Sequence, residues 1–354
     1  MRKTTVARPI TAVLAGLVLS LGAVACGGNA APPLVAAPPT PAADPVTQAG
    51  SMSMDMGAGS ATMSVAQMDT AMAAQMKSFP VKTAEVGGQT MQPKVLADGT
   101  KEFDIAAAIS SWQVDATRTV QAWLYNGTFP GPTIHVNVGD HVRVVLTNDL
   151  PESTAVHFHG IQGVPNSMDG VPGVTQDPIK PGQTYTYAFT PTAVGVGMYH
   201  SHDDTLKQLT DGLMGVFQVG EEPLPRGVTV SQELPFVLED SGPMGMSFNG
   251  KSFPATAPVV AHVGDYILVN YFNAGQMIHP IHLHGPGQLV IAKDGYPLAN
   301  PEMEDTITVA PGERYTVLIH PDLTGVWVWH CHILSHTELA SGMMYGMVTA
   351  LVVQ

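Results

Sequence analysis

From about residue 91 onwards, hydrophobic and polar positions alternate along a succession of short, β-branched-rich runs. Gly, Pro, Asn and Asp interrupt these runs at short intervals, and no long stretch has apolar residues at helical spacing. Alternation with a period of two places one set of side chains on a buried face, and frequent turns are typical of antiparallel sandwiches. The pattern therefore predicts an all-β protein made of Greek-key β-sandwich domains.

This β-rich part of the chain is duplicated. Residues 157–160 and 282–285 both read His-x-His-Gly, and residues 199–202 match residues 329–332 in having His-x-His after an aromatic residue. Two copies of one sandwich explain such matches economically. The predicted domains are the first copy, residues 91–222, and the second copy, residues 223–354.

The start of the chain has the pattern of an export signal. A basic beginning precedes an apolar run over residues 12–24 and small residues before Cys26. The small residues resemble a bacterial lipoprotein cleavage site, which predicts a signal over residues 1–26 and a lipid on Cys26; a plain secretory signal is the alternative. We expect the protein to be exported, either as a lipoprotein on the extracellular face of the membrane or as a secreted or periplasmic protein. The apolar run is short for a transmembrane span.

Residues 27–90 are predicted to be a flexible tether rich in Met, Pro and Ala, with a short helix. Met52, Met54 and Met56 alternate. Near-helical spacing then follows at Met63, Met68, Met72 and Met76. Thioethers are soft ligands that suit Cu(I), so the first group could capture copper. For the second group we favour the apolar face of a short docking helix.

Charge and cysteine content exclude two classes of protein. The formal net charge is −14, and nucleic-acid binding is disfavoured because phosphate contacts need clustered Lys and Arg. Only Cys26 and Cys331 are present, so the mature chain has no disulfide framework. A lone cysteine in an exported protein needs protection from oxidation, and ligation to a metal provides it.

The remaining cysteine lies in a stretch with metal-site chemistry. His330 and His332 flank Cys331, and His336 follows shortly after. Alternate side chains of a strand lie on opposite faces, so the thiol and the two flanking imidazoles can serve two different metal sites. A cysteine with two histidines and a distant methionine is the blue-copper set, and Met343 is the candidate axial ligand, with Met344 as the alternative.

Each copy also carries two His-x-His pairs, which place both imidazoles on one face of a strand. The pairs are His157/His159, His200/His202, His282/His284 and His330/His332. Eight imidazoles exceed the needs of one tetrahedral ion, so a cluster of several metals built by both copies is predicted.

The blue-copper set, in contrast, belongs to the second copy alone. Aligned by the repeat, His279, Cys331, His336 and Met343 match Thr154, Ser201, Leu206 and Leu213 of the first copy. None of these four first-copy residues is a good copper ligand.

The chain resembles the multicopper oxidases, in particular the bacterial two-domain laccase-like group, from about residue 91 to the C-terminus. The motifs HxHG, HxH, HxxHxH and HCHxxxH carry this resemblance. It implies two cupredoxin-like domains and copper as the cofactor, with one type 1, one type 2 and a type 3 pair per functional unit. The implied type 1 ligands are His279, Cys331, His336 and Met343. The implied type 2 ligands are His157 and His282. The implied type 3 ligands are His159, His200, His202, His284, His330 and His332.

The resemblance implies one-electron oxidation of phenols, aromatic amines or metal ions such as Cu(I), coupled to four-electron reduction of dioxygen to water. Electrons would enter through a solvent-approachable histidine of the type 1 site and pass through Cys331 to His330 and His332. Asp203 and Glu338 are candidates for supplying protons, with ordinary solvated loop residues as the alternative.

The expected partners are dioxygen, a small reducing substrate and two further copies of the chain, since the resemblance implies a homotrimer with clusters between subunits. Two other functions stay open. A copper nitrite reductase is also built from two sandwiches but has its type 1 site in the first. A non-enzymatic copper-handling protein would suit the Met-rich tether.

Overall fold

The computed structural model describes residues 64–354. The predictions for the export signal, for the lipid on Cys26, and for Met52, Met54, Met56 and Met63 lie outside the described residues. The regular secondary structure of the described part is almost entirely β-strand, so the predicted fold class is confirmed.

The strands divide between the two copies. The first copy contains β1 (Lys94–Val95), β2 (Lys101–Gln113), β3 (Thr119–Tyr125), β4 (Gly131–Val136), β5 (Val142–Asn148), β6 (Val156–His159), β7 (Thr184–Phe189), β8 (Gly195–Ser201) and β9 (Met214–Val219). The second copy contains β10 (Gln232–Glu239), β11 (Ser247–Phe248), β12 (Val259–Ala261), β13 (Ile267–Asn273), β14 (His279–Leu283), β15 (Gln288–Lys293), β16 (Tyr296–Glu304), β17 (Thr306–Val309), β18 (Arg314–Ile319), β19 (Gly325–Cys331) and β20 (Val348–Val353). The helical elements are α1 (Val65–Ser78), α2 (Thr205–Gln208) and the 3₁₀ turns Asn166–Met168 and Leu334–His336.

Each copy forms two sheets with matching topology. In the first copy one sheet has the order β1-β2-β5-β7, with β3 also on β2, and the other has the order β4-β9-β8-β6. In the second copy the orders are β11-β10-β13-β18-β15-β16 and β12-β20-β19-β14-β17. The pairings β2–β5 and β10–β13 are parallel, as are β4–β9 and β12–β20. The shared pairings show that the repeated motifs occupy equivalent positions in the two folds.

The core of each copy follows from its alternating pattern. In β5 every second residue is buried, and Val144 and Leu146 pack with Tyr187 and Phe217 in the first copy. Separate clusters fill the second copy and the space between the copies. Burial of such side chains is the main favourable contribution to folding.

Part of the predicted tether lies against the two sandwiches. The extended segment 79–90 donates from Val81 N to Pro254 O at 2.8 Å and from Gly88 N to Pro130 O at 2.8 Å. These hydrogen bonds attach the segment to both copies, which composition alone does not reveal.

Helix α1 is the predicted short docking helix. Ser64 is the N-cap of this helix and forms a capping box, in which its side chain accepts from Gln67 N. Met68 and Met72 are half-buried, and Gln75 Nε2 donates to Met344 O at 2.6 Å. The helix thus packs on the loop that follows His336. No helix within residues 64–354 is long and apolar enough to cross a bilayer.

Candidate metal centre

Strands β14 and β19 bring the metal-ligating side chains of the second copy together. Their antiparallel register places His282 opposite His330 and Ile281 opposite Cys331. Because side chains alternate along a strand, Cys331 enters the core, where it is fully buried, while His330 lies on the opposite face. One strand therefore connects two separate groups of ligands.

The first group, which we call the Cys331 site, consists of His279, Cys331 and His336. Cys331 Sγ lies 3.7 Å from His279 Nδ1 and 3.5 Å from His336 Nδ1, and the two nitrogens are 3.3 Å apart. Three donors bound to one ion at about 2.0–2.3 Å in a trigonal arrangement are roughly 3.5–4 Å apart. The set of one thiol and two imidazoles therefore fits a copper ion of the blue type.

Burial shapes the chemistry of this site. It raises the pKa of the Cys331 thiol to about 11 and lowers the pKa of His336 from its usual value. A metal needs the thiolate and neutral imidazoles, so binding releases the thiol proton. Both histidines are buried, His279 with no exposed surface and His336 with 3%. The expected entry of electrons through a solvent-approachable histidine stays a prediction, since both side chains are buried in this structure.

A carboxylate also contacts the Cys331 site. Asp240 Oδ2 lies 2.9 Å from His279 Nε2, and both side chains are fully buried. Burial by itself would raise the pKa of Asp240. Hydrogen bonds from His279, Ser241 and two backbone N–H groups outweigh it and hold that pKa well below its usual range. Asp240 is thus an ionised acceptor inside the protein.

The second-copy histidine set is His282, His284, His330 and His332, whose rings pack with centroids 4.8–5.7 Å apart. His284 Nε2 and His330 Nε2 are 3.2 Å apart. His282 Nδ1 donates to Asp305 O at 3.0 Å, and His330 Nδ1 donates to Cys331 O at 2.8 Å. Since Nδ1 of these two rings is occupied, their Nε2 atoms are the ones available to a metal.

The first-copy histidine set repeats this arrangement. It consists of His157, His159, His200 and His202, and candidate ligand atoms of the first three lie within 4.8 Å of one another. His157 Nδ1 donates to Asp169 O and His200 Nδ1 to Ser201 O, both at 2.8 Å. Burial lowers the pKa of His159 to about 4 and of His200 to about 3, with Arg314 a further cause at His159. Neutral imidazoles are the form that binds metal.

In the part of the chain that the structure describes, the ring contacts of these eight histidines join members of the same copy. His284 and His332 are exposed to solvent. The predicted eight-histidine cluster is therefore present as two half-sites.

The strand register disagrees with the predicted axial ligand. β8 pairs His200 with Met214, and β19 pairs His330 with Val348, so Met347 is equivalent to Leu213. Cys331 N donates to Met347 O at 3.1 Å, as Ser201 N donates to Leu213 O at 3.0 Å. Met343, in contrast, is half-buried in a turn closed by Leu339 N donating to Met343 O at 2.9 Å. The match of Met343 with Leu213 is wrong, because the loop after His336 is longer in the second copy.

The same argument corrects the match between His336 and Leu206. Met347 N donates to His336 O at 3.0 Å, and Leu213 N donates to Gln208 O at 3.0 Å. Gln208 is therefore the first-copy equivalent of His336, and it is fully buried, whereas Leu206 is 70% exposed. Sequence reasoning could have found the match of Met347 with Leu213, since Gly346-Met347 directly precedes the final apolar strand as Gly212-Leu213 precedes β9.

The two predicted proton carriers lie in different surroundings. Partial burial raises the pKa of Asp203, whose backbone N donates to Ser201 Oγ at 3.3 Å. Glu338 is exposed, but it lines a cavity of about 240 Å³ together with His284 and His330. Glu338 thus shares a cavity with two members of the second-copy histidine set, and Asp203 directly follows His202 of the first-copy set.

Comparison with known proteins agrees with this arrangement. Two family models, both described as multicopper oxidase, match residues 107–223 and 228–351. The crystal structure of a blue copper oxidase from Nitrosomonas europaea is 33% identical, covers 71% of this chain and 85% of that chain, and has a TM-score of 0.67. A copper nitrite reductase from the same organism, 23% identical over 72% of this chain and 94% of that chain, has a TM-score of 0.61 and shares the fold.

The chain therefore belongs to the multicopper oxidase family, whose cofactor is copper. Laccase-1 of Cryptococcus neoformans var. grubii is 27% identical over 291 residues, which are 69% of this chain and 45% of that protein. The chain thus spans less than half the length of that curated relative.

Proposed function

We propose that the protein is a laccase-like oxidase that couples one-electron oxidation of a small reductant to four-electron reduction of dioxygen to water. The observation that carries this proposal is the position of Cys331. Its sulfur faces His279 and His336 in the core, while its immediate neighbours His330 and His332 belong to the second-copy histidine set. A carrier or storage protein has no need for one strand that links two such groups.

Bound copper supplies one-electron transfer at the Cys331 site and dioxygen reduction at the histidine sets. The protein's own contribution is orientation. Backbone carbonyls fix the rings of His282 and His330 through Nδ1, which points Nε2 outward. The short covalent path from Cys331 to the neighbouring histidines connects the two groups.

We propose Met347 as the axial residue of the Cys331 site, in place of Met343. Three observations support it: Met347 is fully buried, it packs in the same core cluster as Cys331, and the strand register makes it equivalent to Leu213. A thioether at this position would supply the weak fourth ligand of the blue-copper set when copper is bound.

We propose Glu338 as a proton carrier for the histidine sets, with Asp203 as a second candidate. The cavity that Glu338 shares with His284 and His330 supports this role. Glu338→Gln should slow oxygen uptake while leaving the blue absorption of the Cys331 site unchanged, because the exposed side chain lies outside that site. Oxygen uptake at the wild-type rate in Glu338→Gln and Asp203→Asn would exclude the relay.

We propose that the active unit is a homotrimer in which the first-copy histidine set of one subunit meets the second-copy set of the next. The separation of the two sets and the exposure of His284 and His332 support this arrangement. The test mixes two inactive variants, His200→Ala and His330→Ala. Shared clusters predict that co-expressed variants regain part of the activity, whereas clusters within one chain predict none.

The electron donor in this proposal is a phenol, an aromatic amine or a metal ion such as Cu(I). Because both histidines of the Cys331 site are buried, electrons must cross the covering residues rather than pass through direct contact with a ligand. Turnover on Cu(I) and on a bulky phenol, measured side by side with oxygen uptake, separates the two substrate classes.

A copper nitrite reductase is the second candidate, supported by the shared fold. Against it, a nitrite reductase is expected to have its type 1 site in the first sandwich, and here that position holds the hydrogen-bonded side chains of Thr154, Ser201 and Gln208. Nitrite reduction without oxygen uptake by the copper-loaded protein would favour this candidate.

We also propose that the chain is exported with a lipid on Cys26; a mature start elsewhere, seen by mass spectrometry, would exclude this.

A further inference from the structure

Asp240 directly follows β10 and contacts His279 of the Cys331 site at Nε2, the ring nitrogen that faces away from Cys331. Its Oδ2 atom accepts from His279 Nε2 at 2.9 Å, and neither side chain has exposed surface. A buried carboxylate is costly unless its hydrogen bonds are complete. The sequence gives no local signal for this contact, since Asp240 follows β10 and His279 begins β14, and these two strands belong to different sheets.

The contact fixes which nitrogen of His279 faces the site. His279 Nδ1 lies 3.7 Å from Cys331 Sγ and 3.3 Å from His336 Nδ1, whereas Nε2 faces Asp240. With the proton of Nε2 donated to the carboxylate, Nδ1 keeps its lone pair for a metal. The same hydrogen bond turns the outer edge of this imidazole away from any electron donor.

The carboxylate is itself held in place. It accepts from Gln276 N at 3.0 Å, from Met277 N at 2.8 Å and from the hydroxyl of Ser241. Gln276 and Met277 belong to the loop that leads directly to His279. Asp240 therefore joins the end of β10, the loop before β14 and the His279 ring in one hydrogen-bonded group.

The first copy lacks this group. Ala107 and Leu238 pair with the equivalent residues Asn148 and Asn273, so Ile109 is the first-copy equivalent of Asp240. There β2 continues as a strand to Gln113, and Ile109 is 45% exposed. The buried carboxylate thus occurs only in the copy that has the Cys331 site.

We infer that Asp240 is a positioning residue that sets the orientation of His279 and lowers the reduction potential of the copper at the Cys331 site. An ionised acceptor on Nε2 makes the imidazole a stronger donor, and its negative charge favours the more positively charged, oxidised metal. This inference rests on the proposed function, because it requires blue copper at the Cys331 site.

The test compares two variants whose expected shifts have opposite signs. Asp240→Asn removes the charge, so the reduction potential should rise, and copper affinity at this site should fall about 10- to 100-fold. Ser241→Ala removes one donor to the carboxylate and leaves its charge on His279, so the potential should fall. Both potentials are measured by following the blue absorption during redox titration of the copper-loaded protein.

The matched control is Asp265→Asn, which removes the same charge at a turn where Asp265 Oδ2 accepts from His262 N at 2.8 Å. Its potential should equal that of the wild type. An unshifted potential in Asp240→Asn, or a rise in Ser241→Ala, would overturn the inference. If Asp240→Asn does not fold, Ser241→Ala decides: a lower potential supports the inference, and an unchanged or higher one overturns it. A wild type without blue absorption would instead overturn the proposed function and this inference with it.

Discussion

The two sandwiches share their topology but differ in one region, beside the loop that precedes the last strand. In the second copy this region includes β14 and β19, and in the first copy it includes the equivalent strands β6 and β8. The second copy has side chains there that can ligate a metal, and the first copy has a group of hydrogen-bonded polar side chains. The equivalent pairs are His279 and Thr154, Cys331 and Ser201, His336 and Gln208, and Met347 and Leu213.

The first-copy group is complete without a metal. Gln208 Oε1 accepts from Thr154 Oγ1 at 2.8 Å and from Ser201 Oγ at 2.6 Å, and Gln208 Nε2 donates to Ser153 O at 2.7 Å. Thr154, Ser201 and Gln208 are all buried and hydrogen-bonded, as buried polar side chains generally are. The comparison teaches that one backbone arrangement serves either a metal or a closed polar group, and that a few side chains decide which.

The largest expected effect comes from making the second copy resemble the first. Cys331→Ser should abolish the blue absorption, remove one copper per chain and reduce oxygen uptake to near background, because Ser is a poor copper ligand. Absorption spectra, metal analysis and oxygen uptake measure these losses. The reciprocal Ser201→Cys should stay colourless, since Thr154, Gln208 and Leu213 do not ligate copper. A blue Ser201→Cys variant would break the comparison.

A smaller change distinguishes the two axial candidates. Met347→Leu reproduces the first-copy residue, so the blue absorption should persist while the reduction potential rises, because the weak thioether ligand is lost. The swap nearly conserves volume and should lower the free energy of unfolding by less than about 1.5 kcal/mol. Met343→Leu is the control and should leave the potential unchanged. The opposite pattern would return the axial role to Met343.

The first-copy group should contribute to stability alone. Gln208→Ala leaves Thr154 and Ser201 without their acceptor and opens a cavity, so the free energy of unfolding should fall by about 2–4 kcal/mol. Denaturant unfolding measures this, and the blue absorption of the folded variant should match that of the wild type. Leu206→Ala, at the exposed position, should change stability by no more than about 0.5 kcal/mol. Loss of blue copper in Gln208→Ala would show that the first copy contributes to the Cys331 site.

The connection between the copies predicts a pH dependence. Burial, and then the nearby Glu233, raise the pKa of Glu222 to about 7 from its usual value of 4.5. The folded protein thus binds this proton more tightly than the unfolded chain does. Its stabilising contribution is complete below pH 4.5 and is lost as the pH rises through 7, by about 1–3 kcal/mol.

Glu222→Gln should therefore flatten the decline of unfolding free energy between about pH 4.5 and 7, the range between the two pKa values. Glu221→Gln is the control, since its side chain is 79% exposed, and it should leave the decline unchanged. An identical slope in Glu222→Gln and wild type would show that Glu222 does not couple folding to pH.

The sequence determined the sandwich fold, the duplication, the four His-x-His pairs and three residues of the Cys331 site. These features depend on local alternation and on spacing within single strands, such as Cys331 between His330 and His332. Such spacing fixes which face a side chain occupies whatever the rest of the chain does.

The tertiary structure alone decided which residues reach these faces from elsewhere. Met347, and not Met343, directly precedes β20, because the loop after His336 rejoins the sheet four residues later than Met343. Asp240, which follows β10 of one sheet, accepts from His279 of β14 in the other sheet. The hydrogen bonds of residues 79–90 to the two copies, and the burial of His279, likewise depend on neighbours distant in sequence. Closing a longer loop costs little extra free energy, so the length of a loop does not predict which residue rejoins the sheet. Only the packed structure fixes these long-range contacts.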